Sequence, residues 1–535
     1  MRVGSTMKKT FAFMLVAVLL VLSACGGTKQ TDPINTKKAI NIGLTYSPGN
    51  LNPLSPVGLA STYVTSLMFL PLVEIDEDLT FKPMLADSIE TTDNTTFTIN
   101  LNPNATWTDG TSVTADDVIF TLKLMANPKV ASTYAYMYAI IEGLDDSGYL
   151  PEGTEDIAGV KKVDEHTLTI KTKAPTTLNI FQDSIGRYTM TVPQAALKDV
   201  APENFNKSEF IQKPTVTNGP FKLIEYNRDH YVQMEANKDY FKGAPKIDQL
   251  NFKVLQGTAI TTQLQSGEID MNIPSAGVIP IADYDKVKGM TGITTVEGAA
   301  LATQFMYINE ASVPDAKQRQ AISHAINRQL IVENLLKGSG EAVDGFFTSL
   351  SPYKDDSIAP ITYDTAKAAE LLQASGWDAN KTLTLSVLSG DSTLEQAANI
   401  IAENLKSAGI NIKIQMADLA TLIDIIVKQE YDLAILTVSM TPINPLPDIA
   451  YFLQEGNPNG YSNPEVDKLL AAIGSEMDEA KIKQYFSEIQ KIVAEDVPMP
   501  SIYATKSLGA VSDRVVNATP KDFGMFINVI DWDVK

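Results

Sequence analysis

The only thiol in this 535-residue chain belongs to Cys25, and its position suggests the chemistry open to it. It follows Leu22-Ser23-Ala24, an unbroken apolar run over residues 11–22, and the lysines Lys8 and Lys9. A charged opening, a short apolar middle and small residues at the cut form the layout of a secretory signal. The run is too short to span a bilayer comfortably. A cysteine directly after the small residues has the pattern of a bacterial lipid-modification motif, in which the thiol receives diacylglycerol and the chain is cut just before it. The alternative is an ordinary signal with a chance cysteine, and the lone cysteine of 535 residues falling in that slot weighs against chance.

Elsewhere, residue types that carry catalysis are present without the spacing that would use them. His166, His230 and His324 stand apart from one another and from Cys25, so no metal site is expected. His324 falls within a helical run over residues 321–336 and reads as packed or surface-facing. There is no G-x-S-x-G elbow, no P-loop and no G-x-G-x-x-G after a strand. Gly338-Ser339-Gly340 follows a helix and reads as a C-cap and turn rather than a phosphate cradle. Asp76-Glu77-Asp78 lacks the glycine and closing glutamate of a calcium loop and reads as a solvated turn. Carboxylates are abundant, but no spacing selects a catalytic pair. The inventory favours binding over catalysis, with no cofactor.

Bulk composition narrows the class further. The formal charge is −21; residues 1–24 carry three cations (Arg2, Lys8, Lys9) and no anion, so their removal takes it to −24. Such a surface repels phosphate backbones, which excludes a nucleic-acid partner. Beyond Cys25, no stretch reaches the ~18 apolar residues of a spanning helix. Residues 26–38 are polar, with two glycines and a proline, and read as a flexible tether reaching about 40 Å at most. Two acyl chains on Cys25 would anchor it stably, where one is marginal. The remaining length is enough for two or three domains.

The elements that must position a site are clearest over residues 382–438. Leu383, Leu385 and Val387 alternate as a strand; Leu394, Ala397, Ala398, Ile401, Leu405 and Ala408 recur at helical spacing, with Gly409 as a C-cap. Ile410, Ile412, Ile414 and Met416 alternate again, residues 419–428 are helical, and residues 433–438 form an apolar strand. Right-handed crossovers make this a parallel, helix-covered sheet, whose ligands sit at the carboxyl ends of strands. Two loops occupy those ends, residues 389–393 and 439–448. The N-terminal part has short alternating strands (Ile40, Ile42, Leu44, Tyr46; Phe97, Ile99, Leu101; Leu168, Ile170) between turns, so the fold is mixed α/β with a β-rich region. Thr114-Ala115-Asp116-Asp117 opens a capped helix.

Several segments carry a family resemblance: AINIGLTYSPGNLNPLSP at residues 39–56, ATWTDGTSVTADDVIFTLKLM at 105–125, and TNGPFKLIEYNRDHYVQMEANKDYFKGAPKIDQLNFKVL at 217–255 with LQSGEIDM at 264–271. RQAISHAINRQLIVENLLKGSGEAV at 319–343, YDLAILTV at 431–438 and GYSNPEVDKLL at 460–470 continue it. Together they resemble, in family order, the extracellular solute-binding proteins of family 5, which serve ABC importers for oligopeptides, dipeptides and nickel. The motifs themselves read as scaffold, since their glycines and prolines punctuate structure.

The resemblance implies a large, type II periplasmic-binding-protein-like α/β fold of two lobes with a hinge between them. Residues 1–24 would be the signal and 25–38 the anchored tether. Residues 39–301 with 497–535 would form lobe I, including a β-rich subdomain at about 60–200, and residues 302–496 lobe II. The implied function is capture of peptides in the inter-lobe cleft by a monomeric, lipid-anchored protein on the outer face of the cell membrane of a Gram-positive-type cell, with delivery to an ABC permease. Alternatives are a nickel chelate or oligosaccharide as cargo, or a surface hydrolase. Peptide-binding relatives place an aspartate in the loop after YDLAILTV to pair with the peptide amine. Here the loop's one acidic residue, Asp448, comes late and is expected to be a helix N-cap. Candidate ligand contacts are Ser389, Asp391, Met440, Thr441 and Asn444 in the two loops, with Tyr134 and Tyr136 in the opposite lobe and Gln304 near the first crossing.

Overall fold

The strand Ala39–Leu44 buries Ile40, Ile42, Gly43 and Leu44 and pairs in parallel with Gln249–Val254 on one side and Met271–Asn272 on the other. From this nucleus an 11-stranded sheet extends both ways through the computed structural model, which describes residues 37–535. On one side, Gln249–Val254 continues antiparallel to Tyr231–Ala236 and then Phe221–Asn227. On the other, Met271–Asn272 leads to Ser501–Ser512, Ile293–Ile308, Leu433–Ser439, Thr382–Leu388 and Asn411–Ala417.

The two lobes are joined where Ile293–Ile308 and Ser501–Ser512 run antiparallel. The first is 16 residues long, and only its far end, from Ala302, pairs with Leu433–Ser439. Its register against the return strand slips between Glu297 and Ala300, between Ala300 and Ala302, and again at Gln304 and Phe305. Bulges of this kind bend and twist a strand, and they fall where the chain passes between the bodies. The apolar cores divide at the same place. One gathers residues 40–276 with 511–532, and two others draw on residues 305–503.

Residues 382–438 fold as their periodicity predicts. Thr382–Leu388 pairs in parallel with Asn411–Ala417 and with Leu433–Ser439, and Ser392–Ser407 and Leu419–Val427 are the crossover helices. Gly409 takes φ +91° just after the first helix, a conformation that only glycine adopts freely. The β-rich region is a four-stranded antiparallel sheet, Ala86–Thr91, Thr96–Leu101, Thr167–Lys171 and Val160–Lys162. Beside it, Asp117 caps Ala115–Met125 by accepting the Thr114 N–H at 2.9 Å. The same buried carboxylate also accepts the Trp107 indole N–H at 3.3 Å and the Gln194 N–H at 2.9 Å. The W-x-D-G segment is therefore scaffold. So is the aspartate of LQSGEIDM: Asp270 is 1% exposed, receives Arg514 at 2.5 and 3.0 Å, and accepts the Asn41 N–H at 2.8 Å.

Three local expectations are corrected. The helical run at 321–336 is broken: Ala316–Ala325 ends where Ile326 turns extended, and the Asn327 side chain restarts a short turn by accepting the Leu330 N–H at 3.0 Å. The break delivers Arg328, 6% exposed, to the carbonyls of Ser323, Val343 and Ser501. Asp448 is not an N-cap, because the helix Leu446–Leu453 begins after Pro445 and Asp448 lies within its first turn. Its carboxylate instead closes the preceding loop on the Thr441 N–H at 2.9 Å. Asp76 is not free in a solvated turn, since it pairs with Lys521 at 2.6 Å.

Candidate ligand-binding cleft

Where the crossing strand emerges from its bulges, Leu301 lines two cavities at once. The first, about 240 Å³, lies in lobe I between the helix Leu59–Ser66, residues 187–190, Ser275 and the C-terminal segment 522–530. The second, about 30 Å³, lies against lobe II and is lined by Thr303, Phe346, Met440, Thr441 and Pro442. Leu59 and Ser275 are shared with a further open hollow of about 570 Å³ bounded by Tyr46, Gly49, Val57 and Arg228. A continuous apolar track with a few convergent polar groups is the usual make-up of a small-molecule site. A separate cavity of about 370 Å³ is lined by residues 341–347, 354–361 and 490–500.

The sequence-derived candidates distribute unevenly over this track. Met440 and Thr441 line the lobe II cavity, and Asn444 is half-buried in the same loop. Tyr134 packs edge-on to Tyr188 at 4.6 Å and brings its hydroxyl 3.4 Å from Thr62, which lines the lobe I cavity. Tyr136 is 59% exposed; partial burial and then Tyr134 and Asp448 raise its pKa, which puts Tyr136 within electrostatic reach of the lobe II loop. Gln304 is 5% exposed and accepts the Thr437 hydroxyl at 2.9 Å, a bond between neighbouring strands of the sheet. Ser389 is exposed at the end of its strand. Asp391 is occupied as the N-cap of Ser392–Ser407, accepting the N–H groups of Thr393 and Leu394, both at 3.0 Å.

The strongest electrostatic features of the lobe I cavity were not among the candidates. Arg187 bridges Glu74 at 3.2 Å and Asp183 at 2.8 Å, with 24% of its side chain exposed. Burial opposes its charge, but the Glu74 and Asp183 carboxylates outweigh that and raise its pKa. The Tyr63 hydroxyl stands 3.0 Å from Ser275 Oγ and donates to the Asp522 carbonyl at 3.0 Å. Asp522 Oδ2 accepts the Ala299 N–H at 2.9 Å, inside the first bulge of the crossing strand. A Cβ on Gly298 would collide with that oxygen, so glycine there lets the carboxylate reach the bulge. Burial, then Glu77, raises the Asp522 carboxyl pKa above its usual range, against the lowering effect of the Ala299 N–H and the Ser275 hydroxyl. The one local signal for this cluster was Asp183 four residues before Arg187, the spacing of a helical ion pair.

With the geometry in view, known proteins sharpen the reading. Residues 80–460 match the description "Bacterial extracellular solute-binding proteins, family 5 Middle". The chain is 27% identical to the oligopeptide-binding protein AppA of Bacillus subtilis over 93% of its own length and 94% of that protein's. It is also 27% identical to the periplasmic murein peptide-binding protein MppA of Escherichia coli, over 85% and 86% of the two chains. A solved structure of the Bacillus subtilis AppA in complex with a nonapeptide superposes with a TM-score of 0.69 at 25% identity, covering 93% of this chain and 99% of that one. With a family match over most of its length, and with two bodies joined by paired crossing strands, this chain belongs to the bacterial extracellular solute-binding proteins of family 5.

Proposed function

We propose that this chain is the extracytoplasmic receptor of an ABC importer, one that captures peptides in the cleft and passes them to the membrane permease. The observation that carries the reading is near-full-length similarity to an oligopeptide-binding protein and to its nonapeptide complex, together with cavities beside the crossing strand that share lining residues. In this reading residues 39–301 with 497–535 form lobe I and residues 302–496 form lobe II. Met440, Thr441 and Asn444 contact ligand from the lobe II loop, and Tyr134 and Tyr136 face them. Gln304 and Asp391 hold the framework around the cleft, and Ser389 stands exposed at the end of its strand. The protein is a monomer that binds without catalysing a reaction.

Residues 1–36 lie outside the described residues, so the anchor is argued from sequence. Cys25 would carry the lipid and residues 26–38 the tether. Among the described residues no helix is long and apolar enough to cross a membrane. Replacing Cys25 with serine is expected to move the protein from the membrane fraction into the medium, followed by blotting of both. If the C25S protein stays with membranes, the lipid anchor is wrong.

Binding to the folded state alone stabilises by RT ln(1 + [L]/Kd), about 2.7 kcal/mol at a hundredfold excess over Kd. Thermal melts of the mature chain with defined pools of three- to nine-residue peptides are expected to show a raised Tm. Native mass spectrometry of protein purified without refolding should find peptide masses bound. A non-peptide mass, with no shift from any pool, would overturn peptide as the cargo while leaving the receptor fold intact.

A further inference from the structure

The polar side chains on the wall of the lobe I cavity already find partners within the chain. The Tyr63 hydroxyl donates to the Asp522 carbonyl at 3.0 Å, with Ser275 Oγ 3.0 Å away. Ser66 Oγ donates to the Tyr63 carbonyl at 2.9 Å. Arg187 bridges Glu74 and Asp183, Lys242 donates to the Pro83 carbonyl at 2.6 Å, and Asp522 accepts the Ala299 N–H. The rest of the wall is apolar. Leu67 and Leu70 are fully buried and Met190 is 5% exposed, yet all three line the space, as do Leu301 and Phe526. The Phe526 ring is held edge-on to Tyr63 with centroids 6.1 Å apart, and tilted against Trp532 at 5.5 Å. A wall packed in this way is formed before ligand arrives, so little ordering is left to oppose binding.

The cavity holds about 240 Å³, below the ~300–1,000 Å³ that takes a whole drug-sized ligand, so its size suits one side chain. It shares Leu301, Leu59 and Ser275 with the neighbouring cavities, so a ligand spanning them passes this one. We propose that the lobe I cavity is a specificity pocket, selecting peptides that carry one large apolar side chain of the leucine or phenylalanine kind. The proposal rests on the peptide-receptor reading and names its substrate class. An apolar side chain entering the pocket leaves water for an apolar wall and gains in proportion to the area buried. An ammonium side chain would lose its hydration without a free carboxylate in exchange, since Glu74 and Asp522 are already engaged. Arg187 and Lys242 keep N–H groups beyond the bonds they make, so a carboxylate side chain is the competing occupant.

The test measures binding by calorimetry with the mature chain and a heptapeptide of alanine and serine. One position at a time carries leucine, phenylalanine, lysine, glutamate or alanine. At one position, or at two neighbours, leucine or phenylalanine is expected to bind at least tenfold tighter than alanine, with lysine no tighter than alanine. Leu301→Trp, which fills the mouth, and Phe526→Ala, which removes the ring from the wall, should each bring that ratio below threefold. The ratio isolates the pocket, because a merely structural defect would weaken every peptide alike. Equal binding of the apolar and alanine versions at every position overturns the pocket and leaves the peptide-receptor reading standing. Failure of every version to bind overturns both. Glutamate binding tighter than leucine and phenylalanine makes the cavity an anion site and overturns the proposal. A ratio undiminished in the variants places the preference elsewhere and overturns it as well. Should Phe526→Ala fail to fold, Leu301→Trp decides alone.

Discussion

Because Asp522 is buried beside Glu77 without a cation, its carboxyl holds a proton more tightly in the folded chain than the ordinary aspartate value of 3.8. Between those two values the folded state binds more protons than the unfolded state, so stability falls as pH rises through that window. The contribution is fully present below the unfolded value and is lost above the folded one. D522N cannot titrate, yet its side-chain oxygen can still accept the Ala299 N–H. Its ligand-free Tm is therefore expected to exceed that of the unaltered protein by an amount that grows from pH 4 to pH 8, as read by calorimetric melts. A difference that is constant with pH, or that shrinks, would refute the raised pKa. Arg187 makes the opposite case. Replacing it with methionine leaves Glu74 and Asp183, 23% and 12% exposed, facing one another without their cation, and a loss of about 3 kcal/mol is expected in urea titrations.

The helix Ser392–Ser407 shows how an element can absorb a residue that looks functional. Asp391 lies at the carboxyl end of a parallel strand, where ligands usually bind, but both N–H groups it accepts belong to its own helix. Asp391→Ala is expected to cost about 1 kcal/mol, by urea titration, and Asp391→Asn only a few tenths, with peptide affinity per folded molecule changed less than twofold. Loss of affinity at full stability would return Asp391 to the ligand. The same contrast explains what could be read in the sequence. Periodicity is local, so residues 382–438 were legible down to Gly409, as was the capped start at Thr114. The break at Ile326 was not, because apolar spacing continues through it and only Asn327 capping and the burial of Arg328 among three carbonyls decide it. Nor was Asp522, whose role depends on Ala299, Tyr63 and Ser275, all more than 200 residues earlier in the chain.

At the scale of the whole molecule, the two bodies share one sheet, so opening and closing must deform paired strands rather than a loose linker. A regular antiparallel ladder resists bending, whereas a bulge has already given up part of its pairing and can absorb a change in φ and ψ. Two register slips fall within residues 297–302, between pairs such as Thr295 with Ala510 and Thr303 with Ala504 that keep the ladder on either side. At the bulge, the Ala299 N–H is held by Asp522 from the C-terminal segment in place of a strand partner. Ligand that draws the lobes together should therefore slow amide exchange most at residues 297–302 and leave the flanking pairs nearly unchanged, since those are protected in both states. Hydrogen–deuterium exchange with and without a bound peptide would resolve this, given peptic fragments that separate residues 293–296, 297–302 and 303–308. Protection confined to the cavity walls, with residues 297–302 exchanging equally in both states, would mean that the lobes move about some other joint or do not move.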